Sequence, residues 1–217
     1  MTDSQRDALL DQVPAAWSVE NENVSLAEAC DRAGLDPADV RAALGDEFDL
    51  VDAWYARLGD RVIEQAAGLS AGLKLEDRLG VLVFTLFDAF EAEDAFVRAT
   101  FGRHGAAWGS PFRDRVARGL DAALDGPDVP GINRAAISLG PVRASVVELT
   151  LHAISAWLRD DSERRERATA LVDRLVAFFA EIATNRVAER AVDLFRYAAG
   201  AGFVPFFGRK HPGSEGA

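Results

Sequence analysis

Apolar residues recur three and four positions apart through "DRLGVLVFTLFDAF" (residues 77–90) and again through "RATALVDRLVAFFAEIATNRVAERAVDLF" (residues 167–195). That spacing lines one face of an α-helix, and no stretch sustains the two-residue alternation of a half-buried strand, so the pattern predicts an all-α chain. Glycine and proline punctuate it at 34–37, 68–72, 105–111 and 125–131. Helices are therefore expected near 4–18, 25–33, 37–44, 47–67, 75–92, 94–103, 111–124, 133–159 and 162–199. Ser25 and Ser162 suit N-caps, because a short side-chain oxygen can accept a free amide of the first turn, and Pro37 suits the first turn after Asp36. Pro14 falls inside the first expected helix, where a residue without an amide proton should kink or break it.

At 217 residues and 49% hydrophobic content the chain can bury a substantial core. No run approaches the ~18 uninterrupted apolar residues of a membrane span. The opening "MTDSQRDALLDQV" lacks the basic and apolar regions of a secretory signal, so a cytoplasmic protein is expected. The single cysteine, Cys30, excludes an intrachain disulfide and any multi-cysteine metal site, and its apolar helical setting suits a small core residue. His104, His152 and His211 stand far apart without metal-ligand spacing. No glycine-rich phosphate loop and no nucleophile signature is present. The expectation is a protein without catalytic residues, metal or cofactor. Carboxylate pairs such as Glu91 with Asp94, and Asp160 with Asp161, read as solvated faces and helix caps.

Three short helices and a longer fourth occupy "VSLAEACDRAGLDPADVRAALGDEFDLVDAWYARL" (residues 24–58). Ala33 and Gly34 hold a tight turn, Leu35 follows it, and Val40 and Leu44 take the apolar positions of the next helix. In these features the stretch resembles the N-terminal domain of the TetR family of transcriptional regulators. The resemblance implies a TetR-like fold, with a helix-turn-helix module over residues 1–50 and a larger helical ligand-binding and dimerisation domain over 51–201. It also implies DNA contacts at Arg32, Pro37, Arg41, Ala42, Ala43 and Glu47. The family commonly has lysine just after the turn, where this chain has Pro37. Where the family has tyrosine and histidine toward the groove, this chain has Arg41, Ala42 and Ala43. Where a lysine opens the fourth helix against phosphate, this chain has Glu47, flanked by Asp46 and Asp49. A weaker resemblance joins the chain to the lipid-binding Coq-nine family of ubiquinone biosynthesis, which looks like a TetR scaffold without its DNA surface. Its carriers are Val13, Pro14 and Trp17, and the segment "AISAWLRDDSE" (residues 153–163).

Charge bears on the choice between them. Residues 1–60 hold 14 Asp and Glu against four Arg and no Lys, while residues 61–217 hold 21 acids and 20 bases. Almost the whole excess of the net −11 lies in the module that should approach phosphates, where affinity depends on Lys and Arg releasing counterions. Adaptation to salt would acidify both halves, so impaired or lost DNA binding is the expectation. The two lysines, Lys74 and Lys210, against 22 arginines fit salt adaptation or a GC-rich genome equally.

Phe84, Phe87, Phe90, Phe96, Phe101, Trp108 and Phe112 concentrate aromatic side chains, and His152 and Trp157 lie on a later helix. They read either as ordinary core or as an apolar pocket for a lipid-like or aromatic molecule with His152 as its polar handle. Residues 138–157 and 168–183 are apolar over more of their circumference than one core requires. In TetR-like proteins the corresponding helices pair about a twofold axis, so a homodimer through Leu149, Leu151, Leu171, Leu175 and Phe178 is implied. Residues 202–217 form an aromatic and basic tail ending in "GRKHPGSEGA", which is expected to be disordered. Phe203, Phe206 and Phe207 beside Arg209 and Lys210 would either touch a membrane surface or fold back as a lid.

Three readings follow. The first is a ligand-responsive TetR-type regulator with an acidic, degenerate recognition helix. The second is a lipid- or isoprenoid-binding accessory protein without DNA binding. The third is a non-enzymatic dimeric adaptor whose acidic face docks a basic protein.

Overall fold

The computed structural model describes residues 1–18, 20, 23–45 and 48–185. Within them the chain is all-α apart from one antiparallel pair of two-residue strands. Its elements are α1 (Asp3–Asp11), β1 (Trp17–Ser18), β2 (Asn23–Val24), α2 (Leu26–Ala33), α3 (Pro37–Leu44), α4 (Leu50–Leu69), α5 (Leu75–Glu91) and α6 (Asp94–Thr100). A π-helical turn (Phe101–Gly105) precedes α7 (Pro111–Leu124), α8 (Gly131–Ile137) and α9 (Gly140–Arg159). A 3₁₀ turn (Glu163–Arg165) then leads into α10 (Glu166–Thr184). No helix of the described residues is long and apolar enough to cross a membrane.

Most boundaries lie where glycine, proline and caps place them, and three expectations are corrected. The first helix was expected to reach residue 18 but ends at Asp11, ahead of Pro14. The strand pair follows, with Trp17 opposite Val24. The expected helix 133–159 is two helices, because Leu139 is extended and Gly140-Pro141 opens a new helix with proline in its first turn. The last helix starts at Glu166 rather than 162. The Asp160 carboxylate accepts the amides of Ser162 and Ala168 at 2.9 and 2.7 Å and thereby sets that start. Residues 186–199 of the expected helix lie outside the described residues.

Helix α4 packs on α5 and α7, α5 on α7 and α10, and α9 on α7 and α10. The amino-terminal helices join this body through α1, which packs on α2 and α4, burying Leu9, Leu10, Val13, Ala29 and Cys30. Burial pushes the Cys30 thiol up, as expected of a small core residue.

The body's centre is aromatic. Tyr55 of α4 meets the rings of Trp54, Phe90, Phe96, Phe101 and Phe112 at centroid distances of 5.0–6.4 Å. Its hydroxyl shares a hydrogen bond of 3.0 Å with Thr100 Oγ1, which itself bonds to the Phe96 carbonyl at 2.8 Å. A phenol this deep needs such a partner, and burial raises the Tyr55 pKa far above the ordinary tyrosine value.

Candidate functional site

The segment expected to be a helix-turn-helix begins with Ser25, whose hydroxyl accepts the Glu28 amide at 3.3 Å. Helix α2 ends on Gly34 in the left-handed conformation (φ 68°), which a side chain would resist, and the Leu35 amide closes back on the Cys30 carbonyl at 2.9 Å. Asp36 then caps α3, accepting the Ala38 amide at 2.7 Å, with Pro37 behind it in the first turn. Val40 is buried, whereas Arg41, Ala42 and Ala43 all face solvent from α3. Arg32, the other cation on this face, bonds to Glu28 at 2.8 Å. Glu47 lies outside the described residues. Its neighbour Asp49 caps α4, Oδ1 accepting the amides of Val51 and Asp52 at 2.8 and 3.0 Å. The N-termini of α3 and α4 carry partial positive charge and free amides that would suit phosphate. In both a carboxylate already occupies them.

Behind this face a cleft of about 520 Å³ separates the amino-terminal helices from the body, lined among others by Arg41, Leu44, Phe48, Asp49, Thr100 and His104. His104 sits in the π-helical turn with its side chain 17% exposed. Its Nδ1 lies 2.9 Å from Asp52 Oδ1 and 3.7 Å from Asp49 Oδ2. Sequence spacing hid this cluster, since 52 residues separate His104 from Asp52.

The expected ligand pocket is not one place. Phe90 and Phe101 belong to the packed centre around Tyr55, together with Phe96 and Phe112. Phe87 stacks on Trp157 at 4.3 Å, and Phe84 meets Phe87 edge-on at 5.9 Å. These three line an open cleft of about 560 Å³ with Asp88, Arg164 and Arg165. The Arg165 guanidinium lies 3.8 Å over the Trp157 ring and pairs with Asp94. Trp108 is 87% exposed in a loop, with the Arg113 guanidinium 5.2 Å from its ring. His152 has a side chain 69% exposed, and its Nδ1 is 2.8 Å from the Glu148 carbonyl. Helix α9 buries Val147, Leu151, Ile154 and Leu158, and position 152 falls off that stripe. Trp108 and His152 therefore do not meet the aromatic residues they were grouped with. Two clefts between the body helices hold about 60 and about 30 Å³.

The expected dimer residues divide in the same manner. Leu149, Leu171 and Phe178 are exposed, the last 61%, beside exposed Ile182. Leu175 is half-buried, and Leu151 is only 2% exposed because it lies on the stripe that α9 turns toward its own chain. Leu151 thus belongs to the core of its own chain and not to the expected dimer surface. Phe203, Phe206, Phe207, Arg209 and Lys210 lie outside the described residues.

No family model matches the chain, and no curated protein matches it.

Proposed function

We propose that this chain is a cytoplasmic, non-enzymatic, ligand-responsive regulator of TetR-like build, dimeric through α9 and α10, whose acidic helix-turn-helix holds DNA only weakly. One observation carries the reading: α2, left-handed Gly34 and α3 follow one another in the helix, turn and helix order of such a module, while Asp36 and Asp49 fill the helix ends that would grip phosphate. On that face Arg41 is the exposed cation of α3 and Arg32 is engaged by Glu28. With about two phosphate contacts per protomer, log affinity against log salt should fall with a slope of about −2 per module and about −4 per dimer. The exposed apolar strip of Leu149, Leu171, Phe178 and Ile182 is the self-complementary patch that a twofold dimer needs.

A second reading, a lipid- or isoprenoid-binding protein without DNA, draws on the apolar groove beside that strip, which at about 60 Å³ would have to open to admit such a ligand. Leu149, Val172, Leu175, Val176 and Phe179 line it, and Thr150 and Ala153 complete its wall from α9. Fluorescence anisotropy with the protein's own upstream DNA between about 50 and about 200 mM salt separates the two. The regulator reading expects weak, sequence-selective binding with that shallow slope. Tight binding at physiological salt, or a much steeper slope, would overturn the charge reasoning. No binding at the lowest salt would end the regulator reading and leave the readings without DNA.

A further inference from the structure

The structure assigns Asp49, Asp52 and His104 a role in binding one divalent first-row transition metal ion, of which Zn²⁺ and Co²⁺ are the probes. Such an ion would tie the start of α4 to the π-helical turn that follows α6. This goes beyond the proposed regulation and stands whether or not the module touches DNA.

Ligand bonds to imidazole nitrogen and carboxylate oxygen run about 2.0–2.2 Å, which puts neighbouring donors of a tetrahedral or octahedral ion roughly 2.9–3.6 Å apart. Of the two distances from His104 Nδ1, 2.9 Å falls within that interval and 3.7 Å lies just beyond it, so the Asp49 carboxylate would close in slightly on binding; the three residues offer donor atoms within 4.8 Å of one another. One imidazole with two carboxylates is a mixed nitrogen and oxygen set, which favours Zn²⁺ and its neighbours over the all-oxygen sites typical of Ca²⁺ and Mg²⁺.

The Asp49 carboxylate is held from behind, as ligands need to be, and the turn that carries His104 is fixed through its backbone. Asp49 Oδ1 is fixed by the amides of Val51 and Asp52, which turns Oδ2 toward the ring. Asp52 lies one turn further along the same helix. The π-helical turn is closed by the Ala106 amide on the Phe101 carbonyl at 2.7 Å and by Ser110 Oγ on the Gly105 carbonyl at 2.8 Å. Single π-helical turns occur frequently at functional sites.

Charge supplies the reason for a ligand. A ring N–H can serve one carboxylate, and at 2.9 Å it serves Asp52, while Asp49 Oδ2 at 3.7 Å is outside hydrogen-bond reach. Two carboxylates therefore converge on one nitrogen, and a divalent cation neutralises both. On binding, the ring coordinates through the Nδ1 lone pair as a neutral imidazole with its one proton on Nε2, any proton in excess of that passing to water. Opposing terms are the roughly half charge of the α4 N-terminus and the presence of Arg41 and Arg103 in the same cleft. They weaken the site. The 520 Å³ cleft reaches Asp49 and His104 and has room for the waters that would complete the coordination shell.

The test uses the untagged full-length chain, stripped with a chelator and titrated with Co²⁺ by visible absorption and with Zn²⁺ by calorimetry. One ion per chain is expected. His104→Gln and Asp52→Asn should each weaken binding at least about tenfold, since even groups that only orient a ligand cost 10–100-fold. Asp49 is left intact because it caps α4. Zn²⁺ should raise the melting temperature of the wild type and not that of His104→Gln. His152→Gln controls for the other histidine and carboxylate pair, His152 with Glu148 at 3.6 Å, and should change nothing. Zinc X-ray absorption on the wild type, which needs no variant, should show a single imidazole among light-atom ligands. Absence of Co²⁺ absorption, binding that survives His104→Gln, binding abolished by His152→Gln, or a count of no imidazole or of two would each overturn the assignment.

Discussion

Gly59 of α4 lies close against α7, and replacing it by alanine measures how firmly that contact is set. A Cβ at Gly59 would stand 2.6 Å from Arg115 Cβ, 2.9 Å from Arg115 Cγ and 3.5 Å from a Phe112 ring carbon. Carbon atoms rest at about 3.5–4.0 Å, so the gap is short by about 1 Å. Arg115 Cβ is bonded to its backbone and cannot swing aside, so the helices must part and loosen Phe112 in the aromatic centre. Such overpacking costs roughly 1–3 kcal/mol. Against it stands the gain of about 1 kcal/mol when alanine replaces glycine inside a helix. Gly80 of α5 isolates that gain, because a Cβ there meets nothing within 4 Å. Gly80→Ala should therefore stabilise the chain by up to about 1 kcal/mol, and Gly59→Ala should range from neutral to about 2 kcal/mol destabilised. For a chain of this size each kcal/mol shifts the melting temperature by about 2–4 °C, so the two variants should differ by roughly 2–12 °C in calorimetry. Equal melting temperatures would refute the close packing of α4 on α7.

Two further outcomes are expected. Phe178→Glu places a charge on an exposed side chain of α10, so circular dichroism should be unchanged while sedimentation shifts from dimer to monomer; a wild type that sediments as a monomer at micromolar concentration would remove the dimer from the proposal. Burial works to raise the Asp128 pKa, but the Leu75 amide at 2.6 Å and the Arg78 guanidinium at 2.9 Å outweigh it and hold the carboxyl below its ordinary value. Its stabilisation is therefore present above the ordinary aspartate pKa and lost as pH falls through the folded value, so Asp128→Asn should lower the melting temperature at neutral pH and by less in acid, as thermal scans across pH would show; an equal loss at every pH would contradict the ion pair.

Local chemistry decided a great deal from the sequence alone. Helix content follows from side chains three and four residues apart, and the stops follow from Pro14, Gly34 and the caps at Ser25 and Asp36, all of which act on their own neighbours. Gly140-Pro141 carried the same kind of signal for the break before α9. The acidity of the first 60 residues is likewise plain in the composition. Periodicity says that a helix has an apolar face but not what that face meets, and here the tertiary structure alone decided. It put Leu151 inside and left Leu149 outside, two positions apart on α9. It sent Phe90 and Phe101 into the centre around Tyr55 while leaving Trp108 in solvent. It brought His104 to Asp49 and Asp52 across more than 50 residues of chain. Such contacts depend on how helices pack against one another, and helix packing is settled by the shape of the whole core rather than by any residue's near neighbours in sequence.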